Sequence, residues 1–265
     1  MLDLRQVSCG YNGHMVLKDV SVTVRQGEFV GLIGPNGSGK TTLMRVATKV
    51  ITPANGQILL EGKDIATVSY RKLATRMAVI GSIDHALGMR TEDLVLLGRI
   101  PLREPYQILD GKRDLIAAQE AMSVAGILHL KDRPVNTLSS GERQLSFVAR
   151  ALAQEPRLLF LDEPTSHLDI RHQVSLLDLM ARLNGERRLT VVMILHDLNL
   201  ASQYCHRLVL LDRGVIHSDG PPESVLTKET IERVYETPVD VLNGHSSTRP
   251  FIRPVSREGG IQSDC

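Results

Sequence analysis

Cysteine is scarce in this chain. Cys9, Cys205 and Cys265 stand alone among 265 residues and form no C-x-x-C pair. That excludes a disulfide framework and a cysteine zinc site, and fits a reducing compartment. A charge excess is also missing. Lys plus Arg number 31 and Asp plus Glu 30, a net charge of +1, so nucleic acid is not expected as a bulk partner. Long apolar runs are absent too. Stretches such as Leu189 to Leu195 fall far short of the roughly 20 residues a membrane span needs. No signal peptide opens the chain, and no heptads run through it. The chain is therefore expected to be soluble by itself, with any membrane role passing through a partner.

Hydrophobic residues make up 42%, enough for a sizeable core without staples. Residues 2–8 and 16–24 read as strands bounded by Gly10, Gly13 and Gly27, with Val20, Val22 and Val24 alternating with Ser21 and Thr23. A short strand follows at 57–60, a helix at 69–76 and a strand at 77–80. Strands return at 157–161, 189–195, 207–212 and 215–218. Ile170, Val174, Leu177 and Met180 mark the apolar face of a helix between the first two of these. Residues 91–154 offer no convincing strand. Leu115, Ala118, Met122 and Ala125 recur there at helical spacing, which reads as a helical insertion. Near-continuous apolar strands alternating with helices predict an α/β fold with a parallel sheet covered on both faces. The tail from 237, with Pro238, Pro250, Pro254 and three glycines, reads as loosely structured and without order beyond about residue 256.

Gly34-Pro35-Asn36-Gly37-Ser38-Gly39-Lys40-Thr41-Thr42 fits G-x-x-x-x-G-K-[ST]. It sits between an apolar strand, Glu28 to Ile33, and a helical run, Leu43 to Val50. Glycines let successive N–H groups turn inward toward phosphate oxygens, and the helix N-terminus adds partial positive charge. Lys40 can reach the β- and γ-phosphates, and the Thr41 hydroxyl can ligate Mg²⁺. The plain alternative is a glycine turn capping an ordinary helix.

Four more segments bear on this site. Leu158 to Leu161 runs into Asp162-Glu163-Pro164 at a strand C-terminus, where ligands bind in parallel sheets. Asp162 would hold Mg²⁺ and Glu163 would orient the attacking water; both acids could equally cap the next helix. Leu138-Ser139-Ser140-Gly141-Glu142-Arg143-Gln144 contains an S-x-x-E capping box, Ser139 with Glu142, and a capped N-terminus can also receive phosphate. Ser166-His167-Leu168-Asp169 follows the carboxylate pair. His196 ends the strand 189–195, where it is either a satisfied structural histidine or a group beside the phosphate site.

The order and spacing of these five segments resemble the ATP-binding subunits of ABC transporters, over about residues 2 to 236. Residues 34–42 are similar to Walker A, 158–163 to Walker B, 138–144 to the signature motif, 166–169 to the D-loop, and His196 to the switch histidine. Tyr11 resembles the aromatic residue that stacks on adenine. Leu97-Gly98-Arg99-Ile100-Pro101, Glu163 through Gln173 and Leu195 through Ala201 resemble importers of ferric siderophores, haem or cobalamin.

This resemblance implies a P-loop NTPase (RecA-like) core with a parallel sheet, an N-terminal antiparallel β-subdomain and an inserted helical subdomain. The whole of 1–265 would be one ATPase domain: residues 1–90 and 155–236 as nucleotide-binding core with β-subdomain, 91–154 as helical subdomain, 237–265 as tail. It implies ATP hydrolysis with Mg²⁺. Lys40, Glu163 and His196 would be catalytic. Tyr11, Asn36, Gly37, Ser38, Gly39, Lys40, Thr41, Thr42, Ser139, Gly141, Glu142 and Asp169 would contact nucleotide, and Thr41, Asp162 and Ser82 the metal. Two copies would pair head to tail around two ATP molecules. Integral membrane permease subunits would be the partners, with an extracytoplasmic solute-binding protein reached indirectly, at the cytoplasmic face of the cell membrane.

Two positions depart from the family pattern. Ser140 stands where glycine is usual, a modest change if that residue keeps a negative φ. After the strand 77–80 the chain has Gly81-Ser82 where a glutamine is usual, and no glutamine occurs from 58 to 106. Two rival readings stay open: a soluble non-transport ABC ATPase, and a low-turnover nucleotide-binding regulatory subunit.

Overall fold

The computed structural model describes residues 1–81, 88–104, 111–243 and 249–255. Strands β1 (Leu2–Tyr11) and β2 (His14–Val24) form an antiparallel hairpin. The predicted alternation holds: Val20, Val22 and Val24 are buried, while Ser21 and Thr23 face out. β3 (Phe29–Ile33) leads through the glycine loop into α1 (Lys40–Ala47). β4 (Asn55–Leu60) and β5 (Lys63–Asp64) complete an antiparallel sheet in the order β2-β1-β4-β5. After α2 (Tyr70–Ala74), β6 (Met77–Ile80) enters the central sheet.

Helices then follow without a named strand among the described residues: α3 (Thr91–Leu96), a 3₁₀ turn at Leu97–Leu102, α4 (Lys112–Val124) and α5 (Ser140–Ala153). Ala118, Met122 and Ala125 are buried in their common core, as their spacing predicts. β7 (Leu158–Leu161), α6 (Ile170–Arg187), β8 (Thr190–Ile194), α7 (Leu198–Tyr204), β9 (Arg207–Asp212) and β10 (Val215–Gly220) return to the central sheet. The chain ends with α8 (Pro222–Val225), α9 (Lys228–Tyr235) and a hairpin of β11 (Val239–Asn243) and β12 (Pro250–Pro254).

The central sheet has the order β10-β9-β3-β8-β7-β6, parallel from β9 to β6, with β10 antiparallel at one edge. β3, β7 and β8 are buried at every residue, because separate hydrophobic clusters cover the sheet's two faces. Strands buried on both sides need no alternation, which is why they read as continuous apolar runs. The order β3-β8-β7 sets three strand C-termini side by side. These are the ends that lead into the glycine loop, His196 and the Asp162-Glu163 pair.

Two expectations are corrected. In α6, Leu177 and Met180 are buried, but Ile170 is 78% exposed and Val174 37%, so the first turns of the helix stand clear of the core. The tail is not loose throughout. Val239 and Ile252 are buried, Ser202 donates to the Pro250 carbonyl at 2.7 Å, and Asn199 exchanges two hydrogen bonds with the Ile252 backbone. Among the described residues no helix is long and apolar enough to cross a membrane.

Candidate functional site

The glycine loop needs its glycines. Gly34, Gly37 and Gly39 have φ of 143, 77 and 105°. A side chain on Gly34 would collide with the Leu211 carbonyl and come within 2.9 Å of Ser38 Oγ. The loop thereby turns tightly into α1, whose N-terminal residues have no side-chain cap. Uncapped N–H groups at a helix N-terminus are available to an anion. Asn36 and Gly37 form the exposed tip, while Ser38, Lys40 and Thr42 are buried.

Two polar groups in the loop carry the signature of an anion site. Ser38 Oγ is buried with no hydrogen-bond partner among the described residues, an arrangement that native interiors rarely keep without a use. Lys40 Nζ donates to the carbonyls of Gly34 and Pro35, both at 2.9 Å. Burial pushes its pKa down, while the Glu163 and Asp162 carboxylates oppose that shift. A cation hydrogen-bonded to neutral carbonyls would gain by exchanging them for phosphate oxygens.

Across the cleft, Asp162 continues the β6–β7 pairing, its N–H donating to the Ile80 carbonyl at 2.8 Å. The Thr41 hydroxyl donates to Asp162 Oδ1 at 3.4 Å. Asp162 has a raised pKa, first through burial and then through the neighbouring Glu163 charge. One carboxylate and one hydroxyl suit a hard divalent ion that takes its remaining ligands from water and substrate phosphates. Thr41 and Asp162 therefore fit Mg²⁺. Glu163 has a φ of 50°, which a non-glycine residue adopts only when its surroundings hold it there. Its Oε1 lies 2.6 Å from His196 Nε2, and the Ser166 hydroxyl reaches Oε2 at 3.5 Å. His196 thus stands against Glu163 at the end of its strand. Thr41, Asp162 and Glu163 line a cleft of about 480 Å³, with Arg143 and Gln144 of α5 on its wall. Sequence reasoning had given those last two no role; their signal was their place three and four residues into α5, on its inward side.

Ser139, Glu142, Gly141 and Asp169 gather elsewhere, where the N-termini of α5 and α6 meet. Ser139 and Glu142 form the predicted capping box. The Ser139 hydroxyl accepts from the Glu142 N–H at 3.3 Å, and Glu142 Oε2 accepts from the Ser139 N–H at 2.9 Å. The Ser139 hydroxyl also donates to Glu142 Oε2 at 2.9 Å, and the backbone bond first and this one second lower the Glu142 pKa. Ser140 is not among the positive-φ residues, so replacing glycine there strains nothing. Asp169 caps α6, accepting from the His172 N–H at 2.8 Å. Tyr11 ends β1, 39% exposed, on a hairpin whose Val16 and Leu17 pack beside Gly39. Ser82 lies outside the described residues, while Gly81 before it lines the cleft.

The ABC transporter family pattern matches residues 17–166. The uncharacterized ABC transporter ATP-binding protein YvrA of Bacillus subtilis is 40% identical over 93% of this chain, and this chain spans 56% of its length. The ferric enterobactin transport ATP-binding protein FepC of Escherichia coli is 37% identical, over 95% of this chain and 93% of its own. The hemin import ATP-binding protein HmuV of Bradyrhizobium diazoefficiens is 36% identical, covering 97% and 95%. A chain of an ABC transporter solved in an inward-facing conformation shares the fold, with a TM-score of 0.84 at 24% identity over 97% of this chain and 98% of that one. A dimeric bacterial ABC transporter cassette superposes with a TM-score of 0.74 at 25% identity, covering 83% and 98%. With a phosphate loop, a carboxylate pair and a histidine on adjacent strand ends, the chain belongs to the ABC transporter family and carries its ATP-hydrolysing cassette.

Proposed function

We propose that this chain is the ATP-hydrolysing subunit of an importer for a metal chelate such as a ferric siderophore, haem or cobalamin. The observation that carries the enzymatic part is the Glu163–His196 contact at 2.6 Å, beside the Thr41–Asp162 pair. The relatives named for ferric enterobactin and hemin support the solute class. Two copies pair head to tail, a reading supported by the dimeric cassette of the same fold. The chain works at the cytoplasmic face of the membrane through integral permease subunits, and an extracytoplasmic solute-binding protein is met only through them.

The phosphate loop N–H groups, Ser38 and Lys40 bind the β- and γ-phosphates, while Tyr11 covers the base. Thr41 and Asp162 hold Mg²⁺, with Ser82 as a further donor. When bound, the ion supplies positive charge against the phosphate oxygens. Glu163 orients a water in line with the γ-phosphorus and accepts its proton as the new P–O bond forms and ADP departs. His196 fixes the direction of that carboxylate. Ser139, the Gly141 N–H and Asp169 of one copy complete the site of the other.

Size exclusion with and without Mg-ATP tests this. Glu163→Gln keeps the shape and removes the base. It is expected to lower turnover roughly 10²–10⁴-fold and to trap an ATP-bound dimer. Lys40→Ala is expected to weaken nucleotide binding itself. Ser139→Arg is expected to abolish turnover while the monomer still binds ATP. Parental hydrolysis in Glu163→Gln removes Glu163 from catalysis, and normal turnover by a monomeric Ser139→Arg protein removes the shared site.

A further inference from the structure

Gly141 is the second residue of α5, and its backbone has no positive φ. Any residue can adopt that conformation, so the missing side chain needs a reason other than the backbone. The reason lies in the chain's own fold. The His172 imidazole fills the place of a Gly141 side chain. A Cβ there would collide with Cδ2 and stand only 2.6 Å from Cγ and 2.8 Å from Nε2. That ring is itself held. His172 Nδ1 lies 2.7 Å from Asp169 Oδ1, and its backbone N–H reaches the same oxygen at 2.8 Å. Since the carboxylate only accepts, the shared proton is on Nδ1, and Nε2 turns toward the first turn of α5. These bonds, the backbone one first, lower the Asp169 pKa, and Asp169 cannot leave without breaking both.

We propose that His172 is a positioning residue: it locks the Ser166–Asp169 segment to the first turn of α5, so that two motifs acting on the partner's nucleotide move as one body. This rests on the shared-site reading above. Both helix N-termini are capped by side chains, α5 by the Ser139–Glu142 box and α6 by Asp169. The imidazole is the only side chain that the would-be Gly141 Cβ meets among its three nearest contacts. A rigid α5–α6 corner delivers Ser139, Gly141 and Asp169 to the partner's phosphates together, so loss of the ring harms the assembled dimer and spares nucleotide capture by the monomer.

The test is a double-mutant cycle in the full chain with Gly141→Ala, His172→Ala and both together, plus His172→Asn, whose amide keeps the bond to Asp169. Steady-state ATPase gives kcat and KM, titration with a fluorescent ATP analogue gives monomer binding, and size exclusion with Mg-ATP in a Glu163→Gln background gives dimerisation. His172→Ala is expected to lower kcat about 10- to 100-fold with unchanged monomer binding and thermal midpoint, as for a displaced catalytic group. Gly141→Ala is expected to be at least tenfold more impaired than His172→Ala, because the collision displaces the corner as well as the ring. The double variant should recover about tenfold over Gly141→Ala, since the collision is gone; contacting residues couple in this way. His172→Asn should lie between the parent and His172→Ala. Parental kcat in His172→Ala, or a double variant no better than Gly141→Ala, overturns the proposal even if Glu163→Gln dimerises. A Glu163→Gln protein that stays monomeric on Mg-ATP overturns the shared-site reading, and this proposal with it.

Discussion

At the scale of single residues, the site holds side chains in states that a protein selected only for stability would avoid. Asp162 is the clearest. Burial and the Glu163 charge raise its pKa, so its ionised form opposes folding. The sign follows from linkage. A group whose folded pKa lies above its unfolded value contributes stability that is complete below the unfolded pKa and is lost as pH rises through the folded one. Asp162→Asn, neutral at every pH, is therefore expected to raise the thermal midpoint of the nucleotide-free protein at neutral pH. The difference should close toward acid pH, as a melting series from pH 7 downward would show. The same variant should lose Mg²⁺-dependent hydrolysis. Ser38 makes a parallel case, because an unpartnered buried hydroxyl costs about 1–3 kcal/mol. Ser38→Ala is expected to stabilise the free chain by an amount in that range, read from urea midpoints, and to weaken ATP binding.

At the scale of elements, the sequence told strand from helix where burial leaves a period or a run. β3, β7 and β8 were legible because both faces are covered, and β2 because one face is. The α6 face was only half right. Ile170 and Val174 share the apolar spacing of Leu177 and Met180, yet periodicity cannot say where along a helix the core stops. The capping box at Ser139 and Glu142 was legible as local chemistry, whereas the ring against Gly141 arises from a segment 31 residues later and leaves no local trace. Leu97 to Pro101 was visible as a family-like pattern without a cause. The fold supplies one. Gly98 lets the 3₁₀ turn lie against the α5 backbone at Arg150. Arg99, 3% exposed, donates to Asp114 at 3.2 Å and to both the Ala153 carbonyl and Glu155 at 2.7 Å. Arg99→Met takes the guanidinium away from the buried Asp114 carboxylate and from the helix-end Ala153 carbonyl. It should cost about 3–5 kcal/mol, measured as a lowered urea midpoint, with the helical segment opening first in hydrogen exchange.

At the scale of the whole molecule, the tail and the 81–82 junction test what composition can say. Proline and glycine counts suggested a loose tail, but prolines at the two ends of β12 suit a two-stranded hairpin in which Ile252, midway between them, supplies the N–H that bonds Asn199. Its anchoring comes from distant partners on α7, which composition does not record. The junction poses the sharper question, because there the departure is chemical. Gly81 opens into the cleft beside Thr41, Asp162 and Glu163, and among the described residues no atom beyond its chain neighbours lies within 4 Å of where its side chain would be. The residue after it, Ser82, is shorter than glutamine by two heavy-atom bonds and offers a hydroxyl where an amide is usual. On the proposed roles, Thr41, Asp162 and Glu163 still supply the metal and water chemistry, so hydrolysis should persist. What a short side chain gives up is reach between the metal site and the surface on which a permease would act. Ser82→Gln is therefore expected to change basal ATPase by less than about threefold, a loss smaller than that of one oriented catalytic group. It should raise the stimulation of hydrolysis by the co-reconstituted permease severalfold. ATPase assays of both proteins, alone and in permease-containing vesicles, decide this. Strong permease stimulation in the parent, with none gained by Ser82→Gln, shows that the serine costs this transporter nothing.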